Sequence, residues 1–361
     1  MIELSRSKNR KGEDEMRNRS RFIAGALAVV MTISALPLTD IKAAESENFA
    51  DAKELSLSFE DALTDASSNQ IAVSASKDVS YVAGVNGSKA INFDGSTYLD
   101  LGTDAALSPE SLTVSFWIKP NGTMTGEQLL TWNKNEWYTD GWYLASENDS
   151  TPLALSVGPA ATNKQPYKLA VTGTRSEFFP ADTWTHIVVT YDNTTKQAAV
   201  YRNGIAQTVT TVYGTSDTST GVIGPCADTK KTMGYNGPVY KSSYLKAAID
   251  EYELYSTVCD QKTAIDLYEA GGATFDKKAV AQEDLDAVEV VSTTARSITL
   301  PTTGKNGSVI TWKSSNASVL ADDGTVTSPE ADTVVELTAT ASFLDGEAVQ
   351  KKFNVTVTAT T

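Results

Sequence analysis

With 361 residues, 41% apolar and 8% aromatic content, the chain has material for about two globular domains with proper cores. Its 45 acidic against 30 basic residues give a formal charge of −15 and argue against nucleic acid and anionic membrane surfaces as partners, because the overall field repels both. A neutral partner fits that field.

Met16 to Ala43 has the parts of a secretory signal: Arg17, Arg19 and Arg21, an apolar run from Phe22 to Leu36, and a cleavage site ahead of Ala44. The run is too short for a comfortable transmembrane span. Residues 1–43 are therefore expected to be an upstream segment and signal peptide, and the mature protein to be exported, strongly acidic and not membrane-inserted. A polar tether then leads to a first strand, Leu55 to Phe59. Turn signals recur at Asn86-Gly87, Asp94-Gly95, Asn121-Gly122, Asp140-Gly141, Asn203-Gly204 and Asn236-Gly237, separating short runs rich in Val, Ile, Thr and aromatics. That spacing predicts an all-β domain.

Inside it, Leu129 to Trp132 and Gly141 to Leu144 predict a strand pair, leaving Asn133 to Asp140 as a loop. The next stretch, WTHIVVTYDNTTKQAAVYRN from Trp184, reads as a strand to Tyr191, a polar turn, a second strand from Gln197 to Arg202 and a hairpin turn at Asn203-Gly204. Trp184, His186 and Val188 share one face of the first strand, and Ile187, Val189 and Tyr191 the other. Both faces are partly apolar, so this strand is expected inside a layered sandwich. Thr263 to Glu269 is the one good helical turn of the domain, ended by Gly271-Gly272.

Beyond a linker near Asp276, Lys278 to Val290 starts as a helical turn and is expected to become a strand. Further strands are predicted at Ser297 to Pro301, Ser308 to Ser314, Gly324 to Ser328, Val334 to Ser342 and Lys352 to Thr358. Each half has its own alternating strands and core tryptophan, so each is expected to fold alone.

The order Trp-x-His-aliphatic-aliphatic-aliphatic-Thr-Tyr-Asp, a polar turn and Val-Tyr-Arg-Asn-Gly resembles the signature hairpin of laminin-G-like (concanavalin A-like lectin/glucanase) jelly-roll domains. Ile91 to Gly95 with Tyr98 and Leu99, Leu112 to Pro120, and Ala248 to Tyr255 with Tyr268 match that family in the same order. The resemblance covers residues 55–270 and implies two antiparallel sheets, usually serving as a non-catalytic binding module. Residues 276–358, with ITWKSSN, DGTV and LTAT, resemble the atrophied bacterial immunoglobulin-like domain often attached to extracellular glycosidases of Gram-positive bacteria. The expected fold is thus a jelly-roll sandwich followed by a smaller immunoglobulin-like β-sandwich acting as a spacer.

No Gly-rich phosphate loop, CxxC or HExxH motif is present, and His186, the single histidine, lacks a nucleophile elbow nearby. Glucanases that share the resembled fold carry a Glu-x-Asp-x-Glu motif on one strand; here Ala248 takes the place of the nucleophile. On a regular strand Ala248, Asp250 and Tyr252 share one face, and Glu251 and Glu253 the other, about 7 Å apart. The resemblance also implies a structural Ca²⁺ where the first-strand loop meets the last strand, which nominates Glu60, Asp65 and Asp250 as hard oxygen ligands. Export permits Cys226 and Cys259 to form a disulfide, while a small apolar core role for Cys259 is the alternative.

For ligand binding, the informative residues are aromatics that a core does not need. Trp117, Trp184 and Trp312 fall in strand motifs and are assigned to the core. Trp137, Tyr138 and Trp142 crowd around one loop, and Tyr235 and Tyr240 around a second. Flat rings beside amides and carboxylates grip sugars, the ring covering the apolar face of a pyranose while polar groups take its hydroxyls. The sequence is therefore read as a secreted carbohydrate-binding module whose partner is a polysaccharide or glycan, from a polysaccharide-degrading or adhesion system of a Gram-positive-type bacterium. In longer relatives the architecture would continue into a catalytic domain. The alternatives are a glycoside hydrolase, or a fragment of one, and a protein-binding adhesion module.

Overall fold

The structure, a computed structural model, describes residues 49–134, 140–158, 166–213, 223, 226, 229–236 and 243–359. Two eight-stranded sheets enclose the larger core. Sheet I runs β13 (Ile205–Ala206), β12 (Gln197–Arg202), β11 (Thr185–Asp192), β6 (Leu112–Pro120), β16 (Lys246–Tyr255), β4 (Lys89–Asp94) and β3 (Ser80–Ala83). Its remaining strand, β1 (Lys53–Leu57), pairs with the second half of β16, whose first half pairs with β4. Sheet II runs β14 (Val209–Tyr213), β10 (Tyr167–Val171), β9 (Ala154–Val157), β8 (Gly141–Ser146), β7 (Gln128–Lys134), β15 (Lys231–Met233), β5 (Leu99–Gly102) and β2 (Ser74–Ala75).

Period-two alternation decides which side chains enter this core. On β6, Leu112, Val114, Phe116 and Ile118 face inward, and on β11 so do Ile187, Val189 and Tyr191, all buried in one cluster. Each such apolar side chain contributes about 1.5–3 kcal/mol by leaving water. The hairpin expected after β12 forms as read: Asn203 (φ 50°) and Gly204 (φ 80°) hold the positive dihedrals that a tight two-residue turn demands.

Two helices and a cap complete the picture. Helix α1 (Arg175–Phe178) starts with a capping box between Thr174 and Glu177. Helix α2 (Gln261–Ala270) is capped by Asp260, whose carboxylate accepts the Thr263 N–H at 2.8 Å, and it ends at Gly271. It lies on the outer side of sheet I, where Ala264 joins Val188, Tyr201 and Cys259 in a small buried cluster. Trp117 stacks on Tyr268 of α2 with ring centroids 5.4 Å apart, so the outward face of β6 is covered as well as its inward one. Among the described residues no helix is long and apolar enough to cross a membrane.

The C-terminal region holds helix α3 (Lys277–Asp286) and one four-stranded sheet. Its strands run β17 (Thr293–Thr294), β20 (Val349–Val357), β19 (Thr333–Ser342) and β18 (Val309–Ser314). Segments 297–301 and 324–328 do not form ladders, although Ile298, Leu300 and Val326 still pack the inner face of the sheet. The segment from Lys278 is helical through Asp286 and does not become a strand. Trp312 is half-buried between the two apolar clusters of this domain, and its indole N–H donates to the Pro301 carbonyl at 2.8 Å.

Two expectations about individual side chains need correction. Trp184 joins no core cluster; it is half-buried with the Lys119 ammonium 5.1 Å from its ring centroid. Cys226 and Cys259 are both free, so no disulfide links them. The reason is placement: Cys259 is buried under α2 on sheet I, whereas the Cys226 carbonyl accepts from Lys231 at the start of β15 in sheet II.

Candidate functional site

The outward face of sheet II carries a row of cross-strand neighbours that alternation alone would not place together. Asp100 on β5 pairs with Thr232 on β15, Thr232 with Trp132 on β7, and Trp132 with Tyr143 on β8. Tyr143 pairs in turn with Ser156 on β9, and Ser156 with Lys168 on β10. Directly opposed residues point to the same side of a sheet, so the row crosses most of the face. Trp132 stacks on Tyr143 at 5.2 Å, and these two rings with Leu129 and Ala145 form an apolar cluster separate from the main core.

Polar groups close the row. The Lys168 ammonium donates to both Glu147 oxygens, at 2.8 and 2.6 Å, and the Tyr143 hydroxyl donates to Glu147 at 3.2 Å. The buried Ser156 hydroxyl has no hydrogen-bond partner. Lys134 donates to the Gly158 carbonyl and approaches the Tyr143 ring at 5.9 Å. Burial lowers its pKa to about 7, opposed by the charges of Cys226 and Asp140.

At one end of this face three tyrosines from separate segments meet. Tyr235 stacks on Tyr98 at 4.6 Å and on Tyr244 at 4.7 Å. Tyr98 precedes β5, Tyr235 follows β15, and Tyr244 precedes β16 and bridges back to Tyr235. Tyr235 is buried while the outer two rings are half-buried. Burial raises the Tyr235 pKa to about 12, reinforced by Tyr244, so the central phenol is neutral at physiological pH. Beside them, Lys230 pairs with Asp100 at 2.6 Å. Apolar rings, phenol hydroxyls and one ion pair are thus grouped outside either domain core.

Of the residues nominated from sequence, Trp137, Tyr138 and Tyr240 lie outside the described residues. Tyr235 is in the tyrosine stack. Trp142 is not on the outward face: it is 1% exposed in the main core, with its indole N–H donating to the Leu107 carbonyl at 3.2 Å. Its neighbour Tyr143 takes the outward position instead, because adjacent strand residues point to opposite faces. Tyr98, which completes the stack, is distant in sequence from Tyr235 and Tyr244; its pairing through β5 and β15 carries no local signal.

The carboxylates implied for calcium are distributed as follows. Asp65 accepts from the Ser56, Ser67 and Ile71 amides and from the Ser67 hydroxyl, which commits it to holding a turn. Asp250 is fully buried; one oxygen accepts from Val85 N–H and Ser88 Oγ, and the other from Glu251 N–H. Burial raises its pKa, and the charge of Glu60 adds to this, so these two carboxylates are near enough to interact. A Cβ at Gly84 would sit 2.2 Å from Asp250 Oδ2, and only glycine fits beside that carboxylate. Among the described residues no group of three or more His, Cys, Asp and Glu is arranged to hold a metal ion.

The expected alternation on β16 also breaks. Glu251 has φ 47° and sits in a bulge between Asp250, opposite Trp117, and Glu253, opposite Ser115. The extra residue puts Asp250 and Glu253 on one outward face and turns Tyr252 into the core. Glu253 is held by Lys53 at 2.5 Å. Burial raises the Glu251 pKa to about 7, helped by the charges of Asp250, Glu253 and Glu60 and opposed by Lys53. His186, 1% exposed, bonds Ser115 Oγ at 3.0 Å beneath α2 while its Nδ1 has no partner.

Residues 93–263 match the family model of the concanavalin A-like lectin/glucanases superfamily, and residues 274–360 that of the atrophied bacterial Ig domain. No curated protein matches the chain. Among solved structures, the botulinum neurotoxin serotype C1 binding domain is similar at 16% identity and TM-score 0.48, over 83% of this chain and 73% of that one. The binding domain of Paraclostridial Mosquitocidal Protein 1 is similar at 17% identity and TM-score 0.49, over 81% and 64%. Domain 4 of a GH43 extracellular arabinanase from Geobacillus stearothermophilus, solved with arabinotriose, is similar at 18% identity and TM-score 0.41, over 60% and 98%. The chain combines a laminin-G-like jelly-roll domain of the concanavalin A-like lectin/glucanase superfamily with an atrophied bacterial immunoglobulin-like domain.

Proposed function

We propose that this protein is an exported module that binds a neutral carbohydrate without cleaving it, at the tyrosine end of sheet II's outward face. The observation that carries the reading is the Tyr98, Tyr235 and Tyr244 stack, which lies outside the cores and beside a polar rim. A pyranose would lay its apolar face on the half-buried rings of Tyr98 or Tyr244, with Asp100 and Lys230 taking hydroxyls. Trp137, Tyr138 and Tyr240 belong to the same proposal as loop contacts. The membership of a superfamily of lectins and glucanases supports a sugar partner. Against cleavage, Ala248 supplies no nucleophile, Asp250 already accepts from three donors, and Glu253 is tied to Lys53.

A structural Ca²⁺ is part of the proposal. Glu60 and Asp250 are the carboxylates that would hold it, with carbonyl oxygens completing the shell, and the ion would fix the junction of first-strand loop and β16. An origin in a polysaccharide-degrading or adhesion system belongs to the same reading.

The experiment is titration of purified protein with neutral oligosaccharides of arabinan, xylan and β-glucan type, after selection on a glycan array. Replacing Tyr98 and Tyr244 together by Ala should cost about 2 kcal/mol of binding, roughly 30-fold in Kd, with little change in melting temperature. Unchanged affinity in that variant, with loss in a Trp137/Tyr138 double Ala variant, would move the site to the Trp137 loop. Reducing-sugar release by the parent protein would refute the non-catalytic reading.

A further inference from the structure

Of the six residues between α2 and α3, Gly271, Gly272 and Phe275 are fastened to the jelly roll. Gly271 lies against the Trp117 indole so closely that a Cβ there would come within 2.3 Å of Nε1. Gly272 (φ 87°) leaves no room beside Asn86, whose Cγ would be 2.4 Å from a Cβ. The Phe275 N–H donates to Glu269 Oε1 at 3.1 Å. A flexible tether has none of these contacts.

Phe275 then turns its ring into a buried cluster that belongs to both domains. From the jelly roll come Ile265 of α2, 2% exposed, and Ile205 of β13; from the C-terminal domain come Ala281, Leu285, Ile310, Ala339, Phe343 and others. Rings continue across the boundary: Trp117 to Tyr268 at 5.4 Å, Tyr268 to Phe275 at 6.4 Å, and Phe275 to Phe343 at 5.7 Å. The hairpin glycine is part of the seat, since a Cβ at Gly204 would be 2.8 Å from the Phe275 ring and 2.9 Å from Ile265. Gln261 Nε2 donates to the Gly204 carbonyl at 3.1 Å and holds that turn against α2.

We infer that Phe275 is the key of an apolar joint that locks the jelly roll and the immunoglobulin-like domain into one rigid body, so that the second domain fixes an orientation and does not merely add length. The joint is apolar and aromatic, so its strength comes mainly from excluded surface and depends little on salt. Separation would expose Ile265 and Phe343 together. The two domains therefore unfold as one cooperative unit, although each has a core of its own.

The test uses the full exported chain. Spin labels on Thr172→Cys and Asn354→Cys, both exposed, report the distance between the domains, and native Cys226 and Cys259 are buried from the label. The parent should give one narrow distance distribution and one calorimetric transition, both unchanged by added salt. Phe275→Ala should broaden the distribution and split the transition while circular dichroism keeps its β signature, and Phe275→Leu should restore most of the parent behaviour. A broad distribution or two transitions in the parent would overturn the joint, as would a Phe275→Ala variant indistinguishable from it. If Phe275→Ala fails to fold, the parent distribution alone decides, since a free tether cannot give a narrow one.

Discussion

The two outward faces of the jelly roll are built by the same alternation and end in opposite conditions. On sheet I, Trp117, His186 and Val188 point out and are sealed beneath α2 and its linker, so that even a histidine is held neutral there. On sheet II, the outward row runs from Lys168 through Tyr143 and Trp132 to Asp100 and reaches the half-buried tyrosines. Both rows are largely buried, Trp132 and Tyr143 at 0% exposed, and it is at the end of the sheet II row that the half-buried rings of Tyr98 and Tyr244 keep surface open. Aromatic content alone does not separate filler from an accessible ring; the exposure of each ring does.

The comparison is sharpest at Trp142 and Tyr98, two aromatics of sheet II with opposite assignments. Trp142→Ala should destabilise the protein by about 3–5 kcal/mol, because it leaves a cavity between the sheets and removes an indole hydrogen bond to the Leu107 carbonyl. Tyr98→Ala should cost far less stability and mainly affinity. Urea midpoints of the two variants check this, and equal midpoints would erase the distinction between core and face.

His186 gives the next effect, on the sealed face. Burial lowers its pKa from the ordinary 6.5 to about 3, so the fold favours the neutral ring. Its contribution is fully present above pH 6.5 and is lost as pH falls toward 3, at up to about 1.4 kcal/mol per pH unit. His186→Gln, which does not titrate, should show a shallower loss of stability between pH 6.5 and 4 than the parent. Parallel pH curves for the two proteins would mean that water reaches this face after all.

Much of the architecture was legible because it is local. The Trp184 to Gly204 hairpin announces itself by period-two apolar residues and an Asn-Gly turn, and α2 by Gly271-Gly272 after it. What escaped depends on single extra residues and on long-range pairing. A bulge between Leu129 and Thr131 resets the phase of β7, so Leu130 and Thr131 both face inward while Trp132 turns out. The bulge at Glu251 does the same to the carboxylates of β16. No propensity marks either insertion in advance, and none joins Tyr98 to Tyr235 across β5 and β15. In the C-terminal domain two of the expected strands, 297–301 and 324–328, fail differently: Ile298, Leu300 and Val326 have strand-like composition and fill the core, but form no ladder.

The smallest expected effect lies on the rim of sheet I, where Glu60 and Asp250 approach one another. If Ca²⁺ binds there only in the folded state, at ten times its Kd it adds about 1.4 kcal/mol, a shift of a few degrees in melting temperature. Asp250→Ala is an ambiguous probe by itself, because it also strands the Val85 and Glu251 amides and the Ser88 hydroxyl. Glu60→Gln is gentler, since its side chain accepts only the Lys89 amide at 3.0 Å. The parent should melt lower in EDTA than in Ca²⁺, and Glu60→Gln should shrink that difference without lowering the EDTA value. Glu251 sharpens the test further: with its pKa raised to about 7 by burial and neighbouring carboxylates, it is increasingly protonated as pH falls below 7. The negative field around the ion weakens with it, so the Ca²⁺ shift should be larger at pH 8 than at pH 6. An EDTA shift of zero at both values would remove calcium from this rim and leave Asp250 as a hydrogen-bond hub for the β16 bulge.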